Sequence, residues 1–289
     1  MTGSRAKWWR VFAVVAALAL IGAACGDDDD SDTGEETTTG EETAGEDTAG
    51  SETAGEETAG EETAGEETTG GEAAAGTLVV AGEQEPECAD FIASCAGASW
   101  GVGSIGVHTM PRADDQVNGE YIPSPLLAGE PTLDTSDGQV VTYEINPDAV
   151  WSDGTPITSV DFEYTWSQIA NGEDIYDATG YANMVSVDSS DPAKAVVTFD
   201  PPFATWKDMF GGFYGVYPKH ILCGEDTPLA DCSGDYLNPA MNDGFDWSGR
   251  PWIPTWTKGS DVTLTPNDNY WVTKPKIDTV VIKFIEDTN

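Results

Sequence analysis

Five cysteines, two histidines and a large surplus of carboxylates are the groups in this chain able to cross-link, ligate metal or attack a substrate. Cys88 and Cys95 lie close in sequence, as do Cys223 and Cys232, whereas Cys25 stands alone at the end of an apolar run. An even set of four in an exported chain reads as two disulfides. Three pairings are open, and the local one, Cys88 with Cys95 and Cys223 with Cys232, is expected. A metal site is disfavoured, because no CxxC occurs and His108 and His220 are far apart in sequence. A nucleophilic cysteine is disfavoured too, since oxidising conditions favour the disulfide. The carboxylates leave one catalytic scheme, a glycosidase-type acid/base pair roughly 5 to 10 Å apart. No nucleophile elbow, HExxH or Ser/Lys signature accompanies them. A secreted carboxylate-dependent polysaccharide hydrolase is therefore the alternative reading; a bare adhesion or surface-structural protein is a third. No residue is assigned to catalysis, to metal or to a cofactor.

What must position these groups is legible first in the charge. Twelve Lys+Arg stand against 52 Asp+Glu, for a net charge of -40 among 289 residues. Phosphate backbones and anionic headgroups would repel such a chain, so no nucleic-acid partner is expected. The charge falls into three segments. Residues 1–25 carry three bases (Arg5, Lys7 and Arg10) and no acid; residues 26–76 carry 19 acids and no base. Residues 77–289 hold the other 33 acids and nine bases.

The basic start followed by the apolar run Val11 to Ala24 has the pattern of a secretory signal. It is too short for a comfortable permanent span, which needs about 20 residues. Ile21-Gly22-Ala23-Ala24-Cys25 resembles the bacterial lipobox, although Gly22 stands where Leu is usual. The resemblance implies a diacylated Cys25 and stable anchoring to a membrane by lipid alone. From Glu41 the chain repeats every five residues (EETAG, EDTAG, SETAG and so on). That period matches neither helix nor strand, and nothing in it repays the entropy of ordering. Residues 26–76 read as an acidic, low-complexity disordered linker, extended by its own charge. They lack the fixed loop geometry of calcium-binding repeats.

Residues 77–289 alternate short β-prone runs with one clear helix. Strands are expected at Thr77 to Ala81, Val140 to Ile145, Asp261 to Thr265 and Thr279 to Ile285, with a hairpin of Met184 to Asp188 and Ala195 to Phe199. Thr158-Ser159 caps a helix starting near Val160, with Asp161 in its first turn. Phe162, Trp166 and Ile169 share one face, and Asn171-Gly172 closes it. The class is α/β with a strand-dominated lobe.

The segment from Thr142 to Trp166, TYEINPDAVWSDGTPITSVDFEYTW, closely resembles one in the peptide/oligopeptide/nickel family of ABC-transporter solute-binding proteins. Two further landmarks match in order: Tyr217-Pro218-Lys219-His220, and Asn267 to Trp271 followed by Lys274 to Asp278. Glu120 to Leu127 resembles the family's stretch before the first long strand. Read physically, these motifs are structural. Asp153-Gly154 makes a tight turn, Pro156 stiffens its exit, and Trp151 is a large buried body whose N–H needs a partner. His220 is a packed loop residue. Arg250 stands where the family has a second Gly, and a left-handed backbone there would be strained.

The resemblance implies a periplasmic-binding-protein-like type II fold and a lipid-anchored receptor on the extracytoplasmic face of a bacterial cell membrane. Such a receptor delivers peptides or similar small solutes to ABC permease subunits without catalysis. Members run to about twice the folded part here and close two lobes on ligand. Residues 77–289 thus correspond to a partial solute-binding domain, mainly the first lobe with a β-rich subdomain, and the chain reads as C-terminally truncated. By the same resemblance, the loop Gly82 to Glu85 approaches the cleft, making Glu83 and Gln84 candidate ligand contacts. Tyr176 and Tyr181 fall where an aromatic meets bound peptide.

Overall fold

The computed structural model describes residues 76–96, 102–212, 214–232, 241 and 244–285. The chain divides into a unit Met1–Gly65 and a unit Glu66–Asn289, and every described residue belongs to the second. The signal run, Cys25 and the acidic repeats lie outside the described residues.

Helix α1 (Ser159–Asn171) forms where capping and apolar spacing agree. Thr158, extended at φ -132°, receives the N3 backbone on its side chain, while Asp161 reaches back to the Thr158 N–H at 2.9 Å, a complete capping box. Phe162 and Ile169 are buried from the core face and Trp166 packs half-buried beside them. The helix end differs from expectation. Gly172 has φ -70° and ψ 156°, so the chain leaves in an extended conformation and uses no left-handed glycine cap.

Four strands make the sheet beneath α1, in the order β4 (Thr132–Asp134), β5 (Gln139–Glu144), β7 (Lys194–Phe199), β6 (Met184–Asp191), all antiparallel. Strand β5 buries Gln139, Val141 and Tyr143, and β7 buries Ala195, Val197 and Phe199, the period-2 pattern of a half-covered sheet. Between sheet and helix, Phe162 lies 4.9 Å from Phe210 and 5.7 Å from Tyr143, ring centre to ring centre.

A second sheet has the order β1 (Thr77–Gly82), β10 (Thr279–Phe284), β9 (Asp261–Pro266), β8 (Trp252–Thr257). Here β1 runs parallel to β10, with Thr77 opposite Thr279, and the remaining pairs are antiparallel. A separate hairpin joins β2 (Asp114–Val117) to β3 (Glu120–Pro123). Its turn is Asn118-Gly119, both at positive φ. Strands β2, β3, β4 and β8 were not among those expected from sequence.

The two local disulfides, Cys88–Cys95 and Cys223–Cys232, are both present. Arg250 departs from expectation. Among the described residues only Asn118 and Phe210 are non-glycines at positive φ, so Arg250 carries no left-handed strain. Close approach is the constraint next door, where a Cβ on Gly249 would lie 2.6 Å from Pro111 Cγ.

The WSDGTP segment is structural, as read. Trp151 is fully buried and its Nε1–H donates to Asp161 Oδ2 at 3.4 Å. Gly154 turns at φ 90°. Asp161 also accepts the Lys219 N–H at 2.9 Å, tying α1 to the short helix α2 (Lys219–Leu222). Burial pushes the Asp161 carboxyl up to about 6, against the opposing pull of the donors at Thr158, Lys219 and Trp151. A raised folded-state pKa favours the fold while the group is protonated. Its contribution is whole below the unfolded value near 4 and is lost as pH rises through about 6. We expect a carboxyl carbon of the folded chain to titrate near pH 6 by NMR, and Asp161→Asn to flatten the stability change between pH 4 and 7. Equal pH profiles for both proteins would refute this.

Candidate functional site

The carboxyl ends of parallel strands are where open α/β sheets leave a crevice for ligands. In this fold that edge belongs to β1 and β10. Gly82 and Phe284 are paired at the end of the register, and the Ile285 N–H donates to Gly82 O at 2.9 Å. A side chain at Gly82 would press on the Phe284 ring at 3.3 Å, so the smallest residue lets the strand ends lie close. Beyond Gly82 the chain turns off the sheet and runs past the β8–β9 turn.

That passage is fixed by one carboxylate. Glu85 Oε1 accepts the Trp256 indole N–H at 2.7 Å and the Gly259 N–H at 2.8 Å. The Cys88–Cys95 disulfide and the Ala89 N–H to Met241 O bond at 3.1 Å then hold the base of the loop. The result is an open concavity of about 510 Å³ lined by Glu83, Gln84, Glu85, Pro86, Glu87, Trp256 and Lys258. Lys258 Nζ stands 5.1 Å from the Trp256 ring centre, in cation–π range. Trp256 also walls a second, more apolar depression of about 300 Å³, with Ile221, Leu222, Phe245 and Trp247 among its lining. One half-buried indole therefore separates an acidic trough from an apolar one. Such a surface can stack on a flat or apolar group on either side of the indole. On one side the carboxylates of Glu83 and Glu87 can receive donors.

The four candidate contacts do not come together. Glu83 and Gln84 line the larger concavity and are exposed. Tyr176 is exposed elsewhere, with its N–H donating to Ile92 O at 2.9 Å, next to the Ala93–Ile175 bridge. Tyr181 lies inside the core at 2 % exposure, where its hydroxyl oxygen accepts the Phe210 N–H at 2.7 Å. Its ring is spent on packing against Phe210 and Tyr214. Trp256, Lys258 and Glu87 line the concavity although sequence reasoning did not single them out. The signal available for the first two was the Lys258-Gly259 turn between two β-prone runs.

His220, expected in a loop, lies in the short helix α2 and does not line the concavity. Its Nε2 lies 3.0 Å from Asp153 Oδ2. Burial works against the Asp153 charge, but the Thr155 N–H and His220 hold its carboxyl below the usual carboxylate range. The pair staples the WSDG turn to α2. Among the described residues no group of three or more His, Cys, Asp or Glu side chains is arranged to hold a metal ion. No helix of the described residues is long and apolar enough to cross a membrane.

The described residues thus form a mixed α/β lobe with an open trough at the ends of its parallel strands. Residues 123–289 match the model of the bacterial extracellular solute-binding proteins, family 5 (middle region), and the chain belongs to that family. The oligopeptide-binding protein OppA of Mycobacterium tuberculosis is 34 % identical over 155 residues, covering 52 % of this chain and 25 % of that protein. The oligopeptide-binding protein AppA of Bacillus subtilis is 26 % identical over 223 residues, covering 74 % and 38 %. Among solved structures, a periplasmic EDTA-binding protein, EppA, superposes with a TM-score of 0.65 at 25 % identity, over 73 % of this chain and 40 % of that one. AppA in complex with a nonapeptide superposes at 0.60 with 21 % identity, over 74 % and 40 %. The fold is thus of the type II periplasmic-binding-protein class. The chain spans about a quarter of the OppA relatives it matches and about 40 % of these solved structures.

Proposed function

We propose that this chain is the first-lobe portion of a lipid-anchored, extracytoplasmic receptor that passes peptides or similar small solutes to an ABC import permease. The observation that carries the reading is the family match over residues 123–289, on a lobe whose strand ends present an open, aromatic-centred trough. Relatives named for binding oligopeptides and dipeptides make peptides the first solute class to test. A relative named as a probable monoacyl phosphatidylinositol tetramannoside-binding protein makes a glycolipid headgroup the second. Residues 1–25 act as the lipoprotein signal with Cys25 as the acylated residue, residues 26–76 as the spacer, and residues 77–289 as the partial binding domain. Binding, closure and docking are the mechanism, and no bond of the solute is broken.

Glu83, Gln84 and Trp256 are the side chains expected to touch the solute, with Tyr176 a more distant contact. In the intact gene product, small-angle scattering is expected to show compaction on adding a graded peptide mixture. Trp256→Ala is expected to weaken binding by at least about tenfold, as for a central aromatic anchor. In the same cells Cys25→Ser should move the protein from the membrane fraction to the medium. An unchanged scattering profile with peptides, metal complexes and glycolipids alike would overturn the receptor reading.

A further inference from the structure

Residues 77–289 contain two arginines, Arg112 and Arg250, and both face one narrow slot. Pro125, Gly249, Tyr270 and Trp271 complete much of its wall, and none of the residues lining it lines the trough described above. Arg250 is paired. Its Nη1 and Nη2 donate to the two oxygens of Asp115 at 2.9 and 3.2 Å, a bidentate fork. Arg112 is not. It is 9 % exposed, and its Nε and Nη2 have no hydrogen-bond partner among the described residues.

Several of the slot's acceptors are already engaged. Ser124 Oγ donates to Arg112 O and accepts the Leu126 N–H, and Pro125 O accepts the Trp271 indole at 3.2 Å and Asn146 Nδ2 at 3.1 Å. Arg250 O accepts Asn267 Nδ2 and Ser248 Oγ. Asp115 thus bonds Arg250 alone, and Arg112, which also lines the slot, keeps two buried N–H groups without a partner among the described residues. Burial first, then the Arg250 charge, draw Arg112 down to about 10, with Asp115 pulling the other way. His108 stands nearby, its imidazole held below the usual range by desolvation and by the same two arginines.

We propose that this slot binds one small monovalent anion of the size of chloride, gripped by Arg112 Nε and Nη2 and faced by Arg250. The volume, about 10 Å³, admits roughly one water-sized sphere, which excludes sulfate, phosphate or a solute carboxylate with its substituents. Water would fill the space but leave the second positive charge uncompensated, the costly arrangement for a buried ion. The acidity of the whole chain does not forbid it. At ordinary ionic strength those charges are screened beyond about 8–10 Å, and the two guanidiniums dominate at the slot. The anion would join Pro111-Arg112, Ser124 to Leu126, and the Gly249-Arg250 loop into one packed unit.

The test uses the full chain at constant ionic strength, with sodium gluconate replaced stepwise by sodium chloride. Going from zero to 100 mM chloride is expected to raise the wild-type Tm by about 3 °C and to leave Arg112→Leu unmoved. Crystals soaked in bromide should show an anomalous peak between Arg112 and Arg250, a readout that does not depend on the variant folding. Equal chloride responses in the two proteins, or bromide density elsewhere with none at the slot, would overturn the proposal and leave water as the occupant.

Discussion

Replacing Trp151 by Ala is expected to lower stability by about 3–5 kcal/mol, the range for removing a large aromatic from a packed interior. Trp151 has no exposed surface and meets the Trp247 ring edge-on at 5.7 Å. Besides the cavity, the change removes a donor from Asp161, a carboxylate at 4 % exposure that already receives the Thr158 and Lys219 N–H groups. Trp151→Phe separates the two effects. It keeps most of the buried area, so the loss should fall well below that of Ala, while the Asp161 carboxyl should titrate still higher because the indole N–H that lowers it is gone. Urea midpoints of the three proteins, with a carboxyl titration of the Phe variant, check both halves. An Asp161 titration identical in wild type and Trp151→Phe would show that the 3.4 Å contact carries no hydrogen bond.

How far the sequence could be read depended on how local each cause was. Helix α1 was legible at its start because Thr158, Asp161 and the spacing of Phe162 and Ile169 all lie within one short stretch. Its last residue was misjudged only in mechanism, since Gly172 ends the helix without turning left-handed. Strand β8 hid behind Pro254, which argues against a central strand. It is tolerated because β8 is the outer strand of the sheet and, among the described residues, pairs only with β9. The β2–β3 hairpin carried its own Asn118-Gly119 signal and was still passed over, its flanks being short and charged. What no local pattern supplied was the pairing of β1 with β10, about two hundred residues later, which creates the edge where the trough lies. Glu83 and Gln84 were singled out because they follow the first strand, and both line the trough. Trp256 was not, because its place beside them depends on that distant pairing and on Glu85 receiving its indole. Tyr181 shows the opposite failure, as a hydroxylated aromatic that suits a ligand contact equally suits a core needing an acceptor for the Phe210 N–H.

Gly215→Ala is expected to be the most damaging of the glycine substitutions, and the reason lies in Pro111. Gly215 sits at φ 69°, and a Cβ there would stand 2.5 Å from Pro111 O and 3.1 Å from Met110 Cβ. That same carbonyl accepts the Val216 N–H at 2.8 Å, so it cannot retreat without orphaning a donor in the core. Left-handed strain and overpacking against backbone each cost about 1–3 kcal/mol, which together predicts a loss of about 2–6 kcal/mol. Gly249 approaches the other side of Pro111, where a Cβ would lie 2.6 Å from Cγ, but no positive φ is recorded for it. A proline ring can change pucker and a carbonyl held by a hydrogen bond cannot. Gly249→Ala should therefore cost clearly less than Gly215→Ala in matched urea unfolding. The reverse order would mean that the ring, and not the carbonyl, is the rigid partner, and that the slot beside Arg112 is set by side-chain packing alone.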